Sequence, residues 1–130
     1  MEKVTGIGGI FFKAADAKSL GSWYRDHLGI PIDESYGGAS FEWRAKDDPD
    51  VIGTTVWSPF PETTKYFDPT RAPFMINYRV DDLDAMLAQL REAGATIDVK
   101  IDDTDYGRFG WATDPEGNRF ELWQPPKTKE

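Results

Sequence analysis

Cysteine is absent from this chain of 130 residues, and histidine occurs once. The first absence excludes a disulfide, a thiolate nucleophile and a thiolate metal site. The second excludes any site that takes two imidazoles from one chain, such as HExxH. Together they leave no base–nucleophile pair for a nucleophilic triad. Basic residues are also scarce: 15 Lys and Arg stand against 23 Asp and Glu, a net charge of −8. A surface of that sign attracts neither nucleic acid nor an anionic membrane, so neither is expected as a partner. No apolar run approaches the length of a membrane span, and the first residues lack the apolar core of a signal peptide. A cytoplasmic location is the expectation that follows.

What is present is pattern, in a length that suffices for one domain with a core. Residues 6–14 alternate as a strand, with Ile10 and Phe12 on one face and Ile7, Gly9 and Phe11 on the other. Asp16 is a good N-cap for the segment that follows. There Leu20, Trp23, Tyr24 and His27 recur at helical spacing, and Gly29 and Pro31 end the helix. His27, in the last turn, favours the helix dipole and can bond a terminal carbonyl. Short strands are expected over 36–44 and 53–57. Residues 59–73 form a proline-rich connection, long for a compact domain and therefore a candidate functional loop. Its aromatics Phe60, Tyr66 and Phe67 argue against a solvated tether. The pattern then restarts. Phe74–Val80 is a strand, with Met75, Asn77 and Arg79 on one face. Asp81 or Asp82 caps a helix with the stripe Leu83, Met86, Leu87 and Leu90, and Gly94 stops it. Strands follow near 95–99, 106–112 and 118–124, and the tail 125–130 is expected to fray. The acidic run Asp98, Asp102, Asp103 and Asp105 lacks EF-hand spacing and reads as a solvated face.

The two halves match. Val56-Trp57-Ser58-Pro59 resembles Leu122-Trp123-Gln124-Pro125, and Lys13-Ala14 with Asp16 falls on Arg79-Val80 with Asp82 at the same spacing. The expected fold is α+β: one domain over 1–130, built from two tandem βαβββ modules at about 6–58 and 74–125.

The second module closes on Asp114-Pro115-Glu116-Gly117-Asn118, the chemistry of a tight turn. In the strand after it, Phe120 and Leu122 point one way and Arg119, Glu121 and Trp123 the other. A carboxylate beside an indole on one strand face has to be explained. Glu121 is either the partner of an inward cation such as Arg79, or a ligand-contacting or proton-transferring group with a raised pKa, or a metal ligand. Trp57 and Trp123 are either core or a pair of walls around a flat ligand. Tyr106-Gly107-Arg108 is either a surface turn or the mouth of a cavity.

The doubled module, the helix ending in Leu28-Gly29 and the final Asp114–Leu122 stretch together resemble the vicinal oxygen chelate superfamily. That group contains glyoxalase I, bleomycin-resistance proteins and extradiol dioxygenases, and the resemblance runs from about Gly6 to Pro125. It implies curved sheets around a cavity with helices outside. Ile10, Phe12, Phe74, Ile76, Phe120 and Leu122 would then pack outward under the helices. Gly9, Phe11, Thr55, Trp57, Met75, Asn77, Arg79, Glu121 and Trp123 would face the cavity. The four ligand positions of the metal-dependent members fall on Gly9, Thr55, Met75 and Glu121. Only Glu121 suits a hard or borderline divalent ion, and catalytic sites of that kind take about three protein ligands. No conventional metal or other cofactor is therefore expected; an atypical divalent site completed by substrate or by Glu42 stays open. The resemblance implies a glyoxalase/bleomycin-resistance-like protein binding a small, partly aromatic or apolar molecule. Phe11, Trp57, Met75 and Trp123 would hold that molecule, and Asn77, Arg79 and Glu121 would orient it. The alternatives are an enzyme and a small interaction subunit with a filled cavity. The enzyme would be a lyase, isomerase or dioxygenase, with Glu121 as acid/base or metal ligand and 59–73 as a lid. Relatives often pair, which implies a homodimer.

Overall fold

Asp16 and Asp82 each begin a helix by the same bond, accepting the amide of the residue three positions on (Ser19 and Ala85, both at 3.0 Å). The computed structural model describes residues 1–126; of the tail expected to fray, residues 127–130 lie outside the described residues. In chain order the elements are β1 (Val4–Ala14), α1 (Ala17–Leu28), β2 (Ala39–Arg44), β3 (Ile52–Pro61), β4 (Phe74–Val80), α2 (Leu83–Glu92), β5 (Thr96–Ile97), β6 (Asp102–Thr104), β7 (Gly107–Thr113) and β8 (Arg119–Gln124). The first helix ends where Gly29 takes φ 70°, a conformation that suits glycine.

The strands form one open curved sheet in the order β2-β3-β1-β4-β8-β7-β5, with β6 added against β7. Each module contributes one parallel pair, β1 with β3 and β4 with β8. The modules meet through the antiparallel pair β1–β4, so the sheet is continuous across both. This is the mixed α+β architecture expected, with two departures. Strand β3 runs on to Pro61, which shortens the connection to residues 62–73. The acidic run supplies β6, whose Asp102 and Asp103 keep their charges toward Lys100 and Arg108 at the surface.

The sheet carries core on both faces. Under α2, Leu83, Met86 and Leu87 pack on Val80 and Leu122, with Phe120 beside them. On the concave face Phe67, Met75 and Trp111 form a second cluster, extended by Phe11, Phe60 and Phe109. The outward residues of module one are less covered than expected. Helix α1 leans on Trp57 through Tyr24 and buries only Gly21, leaving Trp23, Leu28 and Ile10 exposed. His27 sets its ring edge-on to Trp23 at 4.9 Å. Among the described residues no helix is long and apolar enough to cross a membrane.

Candidate functional site

The turn after β7 sets up the site. The Asp114 carboxylate accepts the amides of Glu116 and Asn118, each at 2.9 Å, and Gly117 takes φ 86°. That geometry pairs Thr113 with Arg119 and, two residues further in, Trp111 with Glu121. On its other side β8 pairs Glu121 with Asn77 of β4. Glu121 is thus flanked by an indole N–H and a carboxamide, and it is 2 % exposed. Asn77 Nδ2 donates to Oε1 at 2.6 Å, and Trp111 Nε1 donates to Oε2 at 3.0 Å. Tyr66, from the 62–73 loop, donates its hydroxyl to the same Oε2. Burial pushes the Glu121 carboxyl up from its usual range. The bonds from Tyr66, Asn77 and Trp111 and the charge of Arg119 pull the other way. The Tyr66 phenol is pushed well up, first by burial and then by the Glu121 charge, so it keeps its proton.

The ion pair between Glu121 and Arg79, one of the three readings of that carboxylate, does not form. The cation near Glu121 is Arg119, which bonds the Tyr66 carbonyl at 2.6 Å and Asp98 at 2.7 Å and lies over the Trp111 ring. Arg79 sits one strand repeat further along β4, between Trp43 and Trp123, 5.4 Å from each ring. Burial pulls its guanidinium pKa below the usual range.

The four positions suggested for a metal do not fit one. Gly9 has no side chain. The Thr55 hydroxyl donates to the Ile7 carbonyl and accepts from Trp43 Nε1 at 2.8 Å. Met75 is a buried thioether against Phe67 and Trp111, with Arg119 at 3.7 Å from its sulfur. At Glu121 the three donors aim their hydrogens at the carboxylate, where a cation would meet them head-on. Glu42 is exposed on edge strand β2. Among the described residues no three His, Asp or Glu side chains cluster closely enough to hold an ion.

Of the residues singled out from the sequence, Phe11, Met75, Asn77, Arg79, Glu121 and Trp123 gather on the concave face. Trp57 does not. Strand β3 presents Trp57 opposite Ile10, on the outward parity, where its ring packs on Phe12 and Tyr24. A bulge in β1 between Ile7 and Gly9 shifts the register to β4 and breaks simple alternation. Tyr106-Gly107-Arg108 is the surface turn. Tyr106 is exposed, and Arg108 pairs with Asp84 and Asp103. Sequence reasoning missed Trp111, Arg119, Trp43 and the role of Tyr66. Trp111 had a usable signal, because the tight turn alone sets it opposite Glu121. Two surface depressions flank α1, and neither includes Glu121.

The family described as Glyoxalase-like domain matches residues 9–123. No curated protein matches. Solved structures do. Methylmalonyl-CoA epimerase from Mycobacterium tuberculosis is 24% identical, with 95% of this chain and 90% of that one covered and a TM-score of 0.56. A Streptomyces coelicolor methylmalonyl-CoA epimerase variant in complex with 2-nitronate-propionyl-CoA is 18% identical over 98% and 99%, at 0.66. A glyoxalase/bleomycin resistance protein/dioxygenase superfamily member from Vibrio splendidus 12B01 is 12% identical over 94% and 97%, at 0.52. At these identities the likeness is one of fold.

Proposed function

The chain belongs to the glyoxalase-like domain family of the vicinal oxygen chelate superfamily, and from that premise we propose that its concave face binds a small, partly aromatic or apolar molecule without a conventional metal centre. The observation that carries this reading is the donor shell of Glu121. Three protein donors from three different segments converge on a carboxylate that is almost fully buried. Tyr66 is the replaceable one. The residue is 40 % exposed although its hydroxyl ends on Glu121, so it closes the concave face from outside. In this reading Tyr66 stands where a ligand's polar group docks. A ligand that displaces it gives Glu121 a new donor and lays its apolar part against Phe11, Phe60 and Trp111. Asn77 and Arg79 orient it. Two copies pair through the uncovered strip of Val4, Ile7, Ile10 and Phe74, all exposed in the single chain.

A second reading is supported by the bond between the Tyr66 phenol and Glu121. Glu121, raised by burial and bonded to a protonated phenol, is poised as an acid/base group once Tyr66 withdraws. The epimerases among the structural neighbours lend this reading a precedent of fold only.

The test is the melting temperature after EDTA, then with Ni²⁺, Zn²⁺, Mn²⁺, Fe²⁺ and Co²⁺, for wild type and Glu121→Gln. A ligand that binds the folded state raises it by mass action. We expect no metal-specific rise, and saturable quenching of tryptophan fluorescence by members of an aromatic small-molecule library. A rise in wild type that Glu121→Gln lacks would overturn the metal-free reading. Turnover that survives chelation but fails in Glu121→Gln would favour the acid/base enzyme.

A further inference from the structure

Arg79 is the one half-buried or buried arginine of the described residues without an acidic partner. Arg119 has Asp98 and Arg108 has Asp84 and Asp103. In a chain with 23 acidic residues, that isolation calls for a reason. Asp81 is near enough to be felt but forms no ion pair with it. The Arg79 Nε is buried and has no hydrogen-bond partner, and none of its guanidinium N–H groups bonds a described residue. A buried donor left unmade is unfavourable.

The surroundings hold this guanidinium in place. Trp43 reaches it from β2 by lying flat across β3 and β1, over Gly53 and Gly6. A Cβ at either glycine would come within 2.3 or 2.4 Å of the Trp43 ring. Trp43 is pinned by its bond to Thr55, and Trp123 by its Nε1 bond to the Tyr106 carbonyl at 2.7 Å. Phe109 stacks on Trp123 with the rings 2° from parallel. The guanidinium carbon therefore lies over two fixed indoles. Cation–π contact stabilises the charge and does nothing for the N–H groups at the guanidinium edge. The edge is a planar fork, which matches the paired oxygens of a carboxylate or phosphate.

We infer that Arg79, clamped between Trp43 and Trp123, is an oxyanion seat that takes a carboxylate or phosphate group of a ligand edge-on. This rests on the concave face being a binding face, and it adds the charge class to that reading. The ligand is anionic at one end and apolar at the other. The seat lies beside Asn77, whose Oδ1 is buried without a partner, so a ligand anchored at Arg79 extends directly toward Glu121.

The experiment titrates the whole protein at constant ionic strength with benzoate, with inorganic phosphate and with neutral benzyl alcohol, using chloride as the control anion. Tryptophan fluorescence and the ¹⁵N resonance of the Arg79 Nε–H are read together. We expect a saturable response to benzoate or phosphate that moves the Arg79 resonance; whichever arm responds more strongly names the oxyanion. Affinity should weaken by about tenfold or more in Arg79→Met, and also in Arg79→Lys, which keeps the charge but loses the fork. Arg91→Met, at an exposed helix position, should change nothing. A response equally strong in Arg79→Met would overturn the seat, as would a wild-type Arg79 resonance unmoved at saturation, which needs no variant to fold. Benzyl alcohol separates the two readings. If it binds while the anions leave Arg79 untouched, the seat falls and the cavity stands. An Arg79-dependent anion response without benzyl alcohol binding supports the seat and counts against the apolar cavity.

Discussion

Glu121 is held by hydrogen bonds from neutral donors, with no cation bonded to it, and this makes its ionisation sensitive to each donor. The carboxyl is raised above its usual 4.5 by burial, so the folded state holds its proton more tightly than the unfolded state. The stability it contributes is fully present below the usual value and is lost as pH rises through the raised one. The urea midpoint of wild type should therefore fall across that window, and Glu121→Gln should remove this part of the fall. Tyr66 supplies the largest opposing influence. In Tyr66→Phe the falling limb should extend to higher pH, with a stability loss near the low end of that for a bond to a charged group, about 1.5 kcal/mol. If the midpoint–pH curves of wild type and Glu121→Gln are parallel, the carboxyl is not perturbed. At this scale alternation puts Asn77 and Arg79 on one face of their strand and Glu121 on one face of its own; that the two faces adjoin is what the family resemblance implied and the β4–β8 pairing shows. Tyr66 is invisible to alternation, because its contact with Glu121 spans a loop with no periodicity. Trp43 is invisible because a long side chain crosses two strands over glycines.

The elements were the most legible level, and the reason is local chemistry. Asp16, Asp82, Gly29 and the Asp114–Asn118 turn each act within a few residues of themselves. The bulge in β1 is different. Gly6-Ile7-Gly8-Gly9 reads as a plain strand until β4 is laid beside it, and only then do Gly8 and Gly9 both face Asn77. Trp57 was expected on the wrong side for a separate reason: the register of β3 on β1, which sets Trp57 opposite Ile10, is not legible in either strand alone. The bulge makes Gly8 sensitive to substitution. A Cβ there would lie 2.2 Å from Asn77 Oδ1 and 2.9 Å from the Trp123 ring. Asn77 cannot step aside without releasing Glu121, and Trp123 is pinned at its nitrogen. Gly8→Ala should lose about 1–3 kcal/mol in urea unfolding, as overpacking does, and should shift the tryptophan emission. A neutral Gly8→Ala would mean that the bulge relaxes freely and that Asn77 is not held.

At the scale of the whole molecule the internal repeat made the doubled architecture readable, but it could not show how far the two halves diverge. Helix α2 seals a core; α1 covers module one only in part. The connection between them became a cover for the concave face, and its anchoring decides how it can move. Phe67 is fully buried, Thr70 donates to the Gly117 carbonyl at 3.0 Å, Arg119 bonds the Tyr66 carbonyl and the Pro73 carbonyl accepts the Lys13 amide at 2.7 Å. Swinging residues 62–73 away as a unit would break all of these and expose a phenylalanine, about 1.5–3 kcal/mol for that side chain alone. Moving the Tyr66 side chain alone breaks one hydroxyl bond, a stack on Phe60 at 5.8 Å and looser ring contacts with Trp111 and Phe67. On the proposed reading the Tyr66 side chain, rather than the whole loop, is therefore the part expected to move. In Tyr66→Ala, amide hydrogen exchange over 67–73 should stay as slow as in wild type, while aromatic ligands should bind faster. Phe67→Ala, by contrast, should lose about 3–5 kcal/mol and exchange quickly across the same residues. Fast exchange over the whole loop in Tyr66→Ala would show that the tyrosine holds the cover down, and the closure would then have to be described as a lid.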